Sequence, residues 1–189
     1  MEIEKTDLPG LLIFKTKVYS DSRGSFQESY NQEISDRLNV EDRLNVDFVQ
    51  ENQSISHRGV LRGLHFQRYP HAQGKLVRVV TGSVLDVSVD LRKNSPTFTD
   101  YLTIKLSGED NIQLYVPEGF AHGFLSLEDN TIFQYKCTNH YNSESESGII
   151  WNDSQLRIHW ESDIKLSELI LSKKDAALPK FNFENIYFE

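Results

Sequence analysis

A chain of 189 residues with 38% hydrophobic and 25% charged residues can bury a core without disulfides or metal staples, and one domain over residues 1–189 is expected. No apolar run reaches bilayer length, the net charge of −8 argues against a nucleic-acid surface, and the acidic opening MEIEKTDLPG lacks the apolar core of a secretion signal. A cytoplasmic protein without membrane or nucleic-acid partners is the expectation. Cys137 is the single cysteine, which excludes an intrachain disulfide and a cysteine-based zinc site and suits a buried free thiol.

In chain order, residues 11–19 (LLIFKTKVY) have strand composition, SDSRG supplies turn residues, and SFQESY returns as the second arm of a hairpin. Phe26, Glu28 and Tyr30 share one face of that arm, with Arg23 at its entrance. Residues 32–44 place Ile34, Leu38 and Val40 or Leu44 near helical spacing, which predicts a short helix. The RLNV at 37–40 recurs at 43–46, too few copies for a repeat architecture. From Phe48 onward short strand-like runs follow one another: FVQENQSIS, VLRGLHFQ, KLVRVV, SVLDVSVDL, YLTIKLS, IQLYV, HGFLSL and TIFQYKCT, broken by Gly, Pro, Asn and Asp. Even spacing without intervening helices predicts an all-β sandwich or barrel with a few short helices. In SVLDVSVDL, Asp86, Ser88 and Asp90 alternate with apolar residues and are assigned to solvent, the alternative being an inward Asp that orients a histidine. GIIWNDSQLRIHW resumes strand-like spacing and DIKLSELIL reads as a brief helix. The terminal ENIYFE resembles a protease-cleavage tag but differs from it at two positions, and it stays unassigned.

The chemistry concentrates between Gly59 and Arg92. Arg62, His65, Gln67, His71, Gln73, Lys75 and Arg78 fall within what reads as one hairpin of an acidic protein. Alternation puts His65 and Gln67 on one face of their strand, and Lys75, Val77 and Val79 on one face of the next. A histidine and a lysine meeting across that hairpin are costly to bury unless an anionic or enolate-forming ligand lies between them. Arg62 points opposite to His65 unless Gly63 permits a bulge. A lone strand histidine is more often a hydrogen-bonded structural residue; the accompanying cations and amides tip this one toward function.

A second cluster, YVPEGFAHGF at 115–124, matches the Pro-x-Gly-x-x-His core of a cupin's second motif through Pro117, Gly119 and His122. Metal-binding cupins add His-x-His and a glutamate from a first motif. Here that region reads His65-Phe66-Gln67, with Lys75 and no glutamate before Gly82, which points to an organic anion in place of a metal.

Taken in order over roughly residues 8–180, DSRGSFQES, QENQSIS, VLRGLHFQ, HAQGKLVRVVTGSVLDVSVDLR, SPTF, VPEGFAHGF, QYKCTNHY, WND and LSKKD resemble the dTDP-4-dehydrorhamnose 3,5-epimerase family of nucleotide-sugar epimerases. The resemblance implies a cupin jelly-roll barrel, a homodimer and no metal or coenzyme. It implies inversion of C3 and C5 of dTDP-4-dehydro-6-deoxy-D-glucose to give dTDP-4-dehydro-L-rhamnose. It implies His65 as base, Asp175 as its orienting partner, Tyr135 as the acid on the far face and Lys75 at the C4 oxygen. Arg23, Arg62, Gln50, Asn52 and Lys174 match positions that grip the diphosphate or sugar. Glu28, with Phe26 beside it, falls at the nucleobase, Tyr141 stacks near it, and Glu146 and His122 fall at further ligand-contacting positions. Single-carbon epimerases of related dTDP-4-keto-sugars keep the same acid and base, so C3-only or C5-only action stays open. A metal-dependent oxygenase and a catalytically silent sugar-nucleotide binder are the more distant alternatives.

Overall fold

The computed structural model describes residues 2–34, 36, 46–160 and 162–189. Among these, the strands are β1 (Glu2–Lys5), β2 (Leu12–Lys15), β3 (Val18–Asp21), β4 (Gly24–Gln27), β5 (Gln50–Ser56), β6 (Leu61–Gln67), β7 (Lys75–Thr81), β8 (Ser83–Asp90), β9 (Tyr101–Ser107), β10 (Ile112–Val116), β11 (Phe120–Ser126), β12 (Thr131–Cys137) and β13 (Glu146–Gly148). A 3-10 turn over Leu166–Glu168 and the single-turn helix α1 (Lys173–Ala176) follow.

Alternating apolar residues pack two sheets face to face. One has the order β1-β2-β10-β7-β12-β5 and the other β13-β6-β11-β8-β9, giving the expected jelly-roll sandwich. Between them Val77, Val79, Leu114, Phe124 and Phe133 form the central core, with the Phe124 and Phe133 rings stacked at 4.2 Å between centroids. Apolar residues on the outer face of the five-stranded sheet, among them Phe66, Val87 and Val89, are covered by Ile149, Leu156, Phe181 and Phe188. The unassigned tail therefore belongs to the fold: Phe188 is buried against Phe66 and Tyr69.

Several expectations change. The run at 11–19 is two strands: β2 joins the six-stranded sheet, while β3 pairs only with β4 as a separate hairpin. β1, hidden in the charged opening EIEK, pairs with β2. The 32–44 helix falls largely outside the described residues, which show helical backbone at 32–34. The stretch from Ile149 to Trp160 is irregular instead of strand. Buried Asp153 accepts hydrogen bonds from the amides of Gln155 and Leu156, which curls the chain, and from the amide of Phe181, which anchors the tail. The helix expected in DIKLSELIL is the 3-10 turn.

β6 and β7 are not a hairpin. They belong to opposite sheets, so residues 68–74 cross from one to the other, and His65 and Lys75 face each other through the interior. Asp86, Ser88 and Asp90 are also inside, fully buried, because both faces of central strand β8 are covered.

Candidate active site

The position of Arg62 is settled by one extra residue in β6. His122 of β11 pairs with His65, yet Phe124, two residues on, pairs with Arg62, three residues back. The bulge falls at Gly63 and turns Arg62 to the same side as His65. Gly63 has φ +125°, and a Cβ there would lie 2.6 Å from Gly123 Cα, so the crossing requires glycine. Arg62 Nε donates to Ser56 Oγ at 3.3 Å.

The inner cavity, about 240 Å³, is lined by Arg62, His65, Lys75, His122, Tyr135 and Asp175, with Phe124 and Phe133 beside them. A second space of about 290 Å³ shares His65, Lys75 and Tyr135 and adds Gln50, Asn52, Tyr141 and Glu146 toward the rim. Both lie near the lower end of small-molecule sites. Sequence-distant candidates thus converge on one continuous site.

His65 Nε2 lies 2.5 Å from Asp175 Oδ1, while Ser172 Oγ donates to Asp175 Oδ2 at 2.8 Å and accepts from the Asp175 amide at 3.0 Å. Ser172 is thereby both the N-cap of α1 and a clamp on the carboxylate. Burial by itself would raise the Asp175 carboxyl; the hydrogen bond and charge of His65, the Ser172 hydroxyl and the Lys174 ammonium outweigh it and hold it below the usual range. An ionised carboxylate on Nε2 fixes the imidazole and leaves Nδ1 for proton transfer.

Across the interior, β7 and β12 carry the complementary groups. Burial pushes the Lys75 ammonium below the ordinary lysine value, against the nearby charges of Cys137, Asp86 and Glu146. Burial pushes the Tyr135 phenol up, and Cys137 adds to this, while Arg62 and a hydrogen bond with Asn52 pull the other way. Cys137 is itself a buried thiol pushed up by burial, as befits a structural cysteine. Tyr135 thus keeps its proton at neutral pH.

His122 is held from behind: its Nε2 meets Asp86 Oδ2 at 2.8 Å, with both residues buried. The inward aspartate that orients a histidine is the arrangement present, and the solvent assignment of Asp86 is overturned. At the rim, Gln50 Oε1 accepts from the Tyr141 amide at 2.9 Å, the Tyr141 hydroxyl donates to Glu146 Oε2 at 2.9 Å, and Lys174 pairs with Glu146. Burial would raise Glu146, but hydrogen bonds from Lys174 and Tyr141 hold it below its usual value.

Three predicted residues stay apart. Arg23 pairs with Asp21 at 2.6 Å on the β3–β4 hairpin, Phe26 is 69% exposed there, and Glu28 Oε1 accepts from Asn31 at 2.5 Å. None lines either cavity. Ser172 was missed, although its spacing to Asp175, Ser-x-x-Asp, is a helix-capping signal.

A jelly-roll barrel with a histidine on one sheet backed by the carboxylate of a helix, a protonated phenol and a buried ammonium on the other sheet, and a lysine–glutamate rim is equipped to move protons at carbons beside a carbonyl on an anionic substrate. Among the described residues no three His, Cys, Asp or Glu side chains converge on one point.

The family model for dTDP-4-dehydrorhamnose 3,5-epimerase matches residues 5–182, and the chain belongs to that family. It is 48% identical over 181 residues to a dTDP-4-dehydrorhamnose 3,5-epimerase of Shigella flexneri, covering 96% of each chain. The crystal structure of that enzyme from Elizabethkingia anophelis superposes with a TM-score of 0.88 at 47% identity, covering 96% of both. A Legionella pneumophila epimerase solved with dTDP-4-keto-L-rhamnose superposes with a TM-score of 0.85 at 42% identity, over 96% of this chain and 98% of that one.

Proposed function

We propose that this protein is an isomerase that converts dTDP-4-dehydro-6-deoxy-D-glucose to dTDP-4-dehydro-L-rhamnose by inverting C3 and then C5, or the reverse order, without a redox step. The observation that carries the reading is the placement of His65 and Tyr135 on facing sheets of one cavity, with Lys75 of the strand beside Tyr135 lining the same cavity. At each carbon His65 takes the proton, and the C–H electron pair moves to the C4 oxygen as an enolate. Lys75 stabilises that oxygen by charge. Collapse of the enolate forms a new C–H bond with the Tyr135 proton on the opposite face, and solvent restores the phenol and discharges the imidazole. His122, backed by Asp86, meets a sugar hydroxyl.

Arg62, Gln50, Asn52 and Lys174 grip the diphosphate and sugar, and Tyr141 and Glu146 flank the nucleotide half. Arg23, Phe26 and Glu28 fit the same reading through a homodimer. A second copy presenting its exposed β3–β4 hairpin at the cavity brings them to the nucleotide, which they cannot reach within their own chain. Mixing His65→Ala with Arg23→Ala subunits should then restore activity by forming dimers with one intact site.

Incubating the purified protein with the 4-keto substrate in heavy water tests the reaction. Deuterium at both C3 and C5, with inverted product, is expected. Label at one carbon alone reassigns the chain as a single-carbon epimerase, and no label at either overturns the reading.

A further inference from the structure

Gln67 is the last residue of β6 and borders the second space with His65, Tyr141 and Glu146, yet it is only 5% exposed and its amide is engaged by the surrounding backbone. Its Nε2 donates to two backbone carbonyls, His71 at 2.9 Å and His140 at 3.3 Å, and its Oε1 accepts from the Asn142 amide at 2.7 Å. His71 lies in the crossover at 68–74 that delivers Lys75. His140 and Asn142 bracket Tyr141 in the loop that ends at Glu146. One side chain therefore fastens both segments at the cavity mouth.

The surrounding ties are weaker in kind. Gln73 donates to the Asn139 carbonyl at 2.7 Å, Asn139 to the Pro70 carbonyl at 3.3 Å, and His71 Nδ1 meets Ser145 Oγ at 2.8 Å. Each joins one point to one point, and their side chains stand nearer solvent. Gln67 alone among them reaches both sides of Tyr141. A buried primary amide suits this work, since it offers two donors and an acceptor without charge, and no other side chain of that size matches the two carbonyls and one amide it faces.

We infer that Gln67 is a positioning residue that sets affinity for the nucleotide half of the substrate by holding Tyr141 and Glu146 over the cavity mouth, without itself meeting the reacting carbons. The inference rests on the reading that Tyr141 flanks the nucleotide. His65, Asp175 and Tyr135 are held by hydrogen bonds and strand pairings that do not include Gln67. Binding and chemistry should therefore separate.

The variant Gln67→Glu keeps the acceptor for Asn142 and replaces both donors with a carboxylate facing two carbonyls. Losing two hydrogen bonds of ordinary strength predicts a KM for the dTDP-4-keto-sugar raised about tenfold or more, with kcat and deuterium incorporation at saturating substrate within about twofold of the parent. Gln67→Met, uncharged and of similar length, should show the same split, so a folding failure of the first variant does not end the test. Tyr141→Ala and the double variant complete a cycle: acting through Tyr141, Gln67→Glu should add little to the KM of Tyr141→Ala, whereas independent effects multiply. A fall in kcat at unchanged KM, or multiplying effects, overturns the inference. If Tyr141→Ala leaves KM unchanged, the nucleotide reading of the rim fails first and takes the inference with it.

Discussion

Replacing Asp175 with asparagine preserves shape but removes the charge that His65 Nε2 meets at 2.5 Å. A hydrogen bond to a charged partner is worth about 1.5–3 kcal/mol. At about 1.36 kcal/mol per tenfold, kcat should fall roughly 10- to 150-fold. Deleting the base with His65→Ala should cost more, on the order of a hundred- to ten-thousandfold. Deuterium incorporation into saturating substrate, read alongside a thermal melt, is the assay. The variant must also respond to acid in a set way. Because the folded protein holds the Asp175 carboxyl below its ordinary 3.8, the unfolded chain binds the proton more readily, and the stability gained is complete above that value. It is lost as pH falls through the folded value, so the melting gap between parent and Asp175→Asn should be widest near neutrality and shrink in acid. An Asp175→Asn enzyme within twofold of the parent, or one slower than His65→Ala, would refute the orienting role.

Tyr135→Phe should still incorporate deuterium with retained configuration while inverted product falls by orders of magnitude; normal inversion would return Tyr135 to the core. Burial lowers the Lys75 ammonium and raises the Tyr135 phenol from their ordinary values, so loss of the Lys75 charge should contribute to the alkaline limb of kcat, and that limb should move upward in the residual activity of Lys75→Met. Gly63→Ala, whose Cβ would meet Gly123 Cα at 2.6 Å in a left-handed backbone, should lower the melting temperature by many degrees and abolish activity, because Arg62 and His65 lose their common side. Arg62→Lys should raise KM, since an ammonium cannot offer two parallel hydrogen bonds to a diphosphate.

The strands were legible because alternation survives wherever one face is buried, and β6, β7, β11 and β12 lie where apolar and polar residues take turns. Alternation says nothing of partners, which is why the nearness in sequence of β6 and β7 suggested a hairpin that the two-sheet topology does not contain. The bulge hid behind the same limit: parity counts residues, and only the pairing of Phe124 with Arg62 reveals the extra one. Asp86 and Ser88 read as solvent-facing because polarity was the only clue, yet both are buried within the sandwich, where Asp86 holds the cavity residue His122 from behind. Between Ile149 and Trp160 apolar spacing resembled a strand, but a buried aspartate accepting three backbone amides outweighs periodicity. His65 and Lys75 stood out through strand alternation and their polar company, Tyr135 and Asp175 only through family resemblance, and the fold brings the four together, whereas Arg23 and Phe26 were matched by that resemblance to a site that one chain does not bring them to.

Placing the base on one sheet and the acid on the other makes stereochemical outcome a mechanical property of the sandwich. The gap that an enolate must bridge is the spacing between sheets, about 10 Å in such packings, and here the stacked Phe124 and Phe133 rings help to set it. Substitutions that thin or swell this layer, far from any titrating group, would leave proton removal intact on the β6 side while misplacing the phenol opposite. Errors in such variants should emerge as handedness, with racemised carbon accumulating before turnover is lost, so the ratio of retained to inverted label becomes a gauge of how firmly the two sheets are held apart.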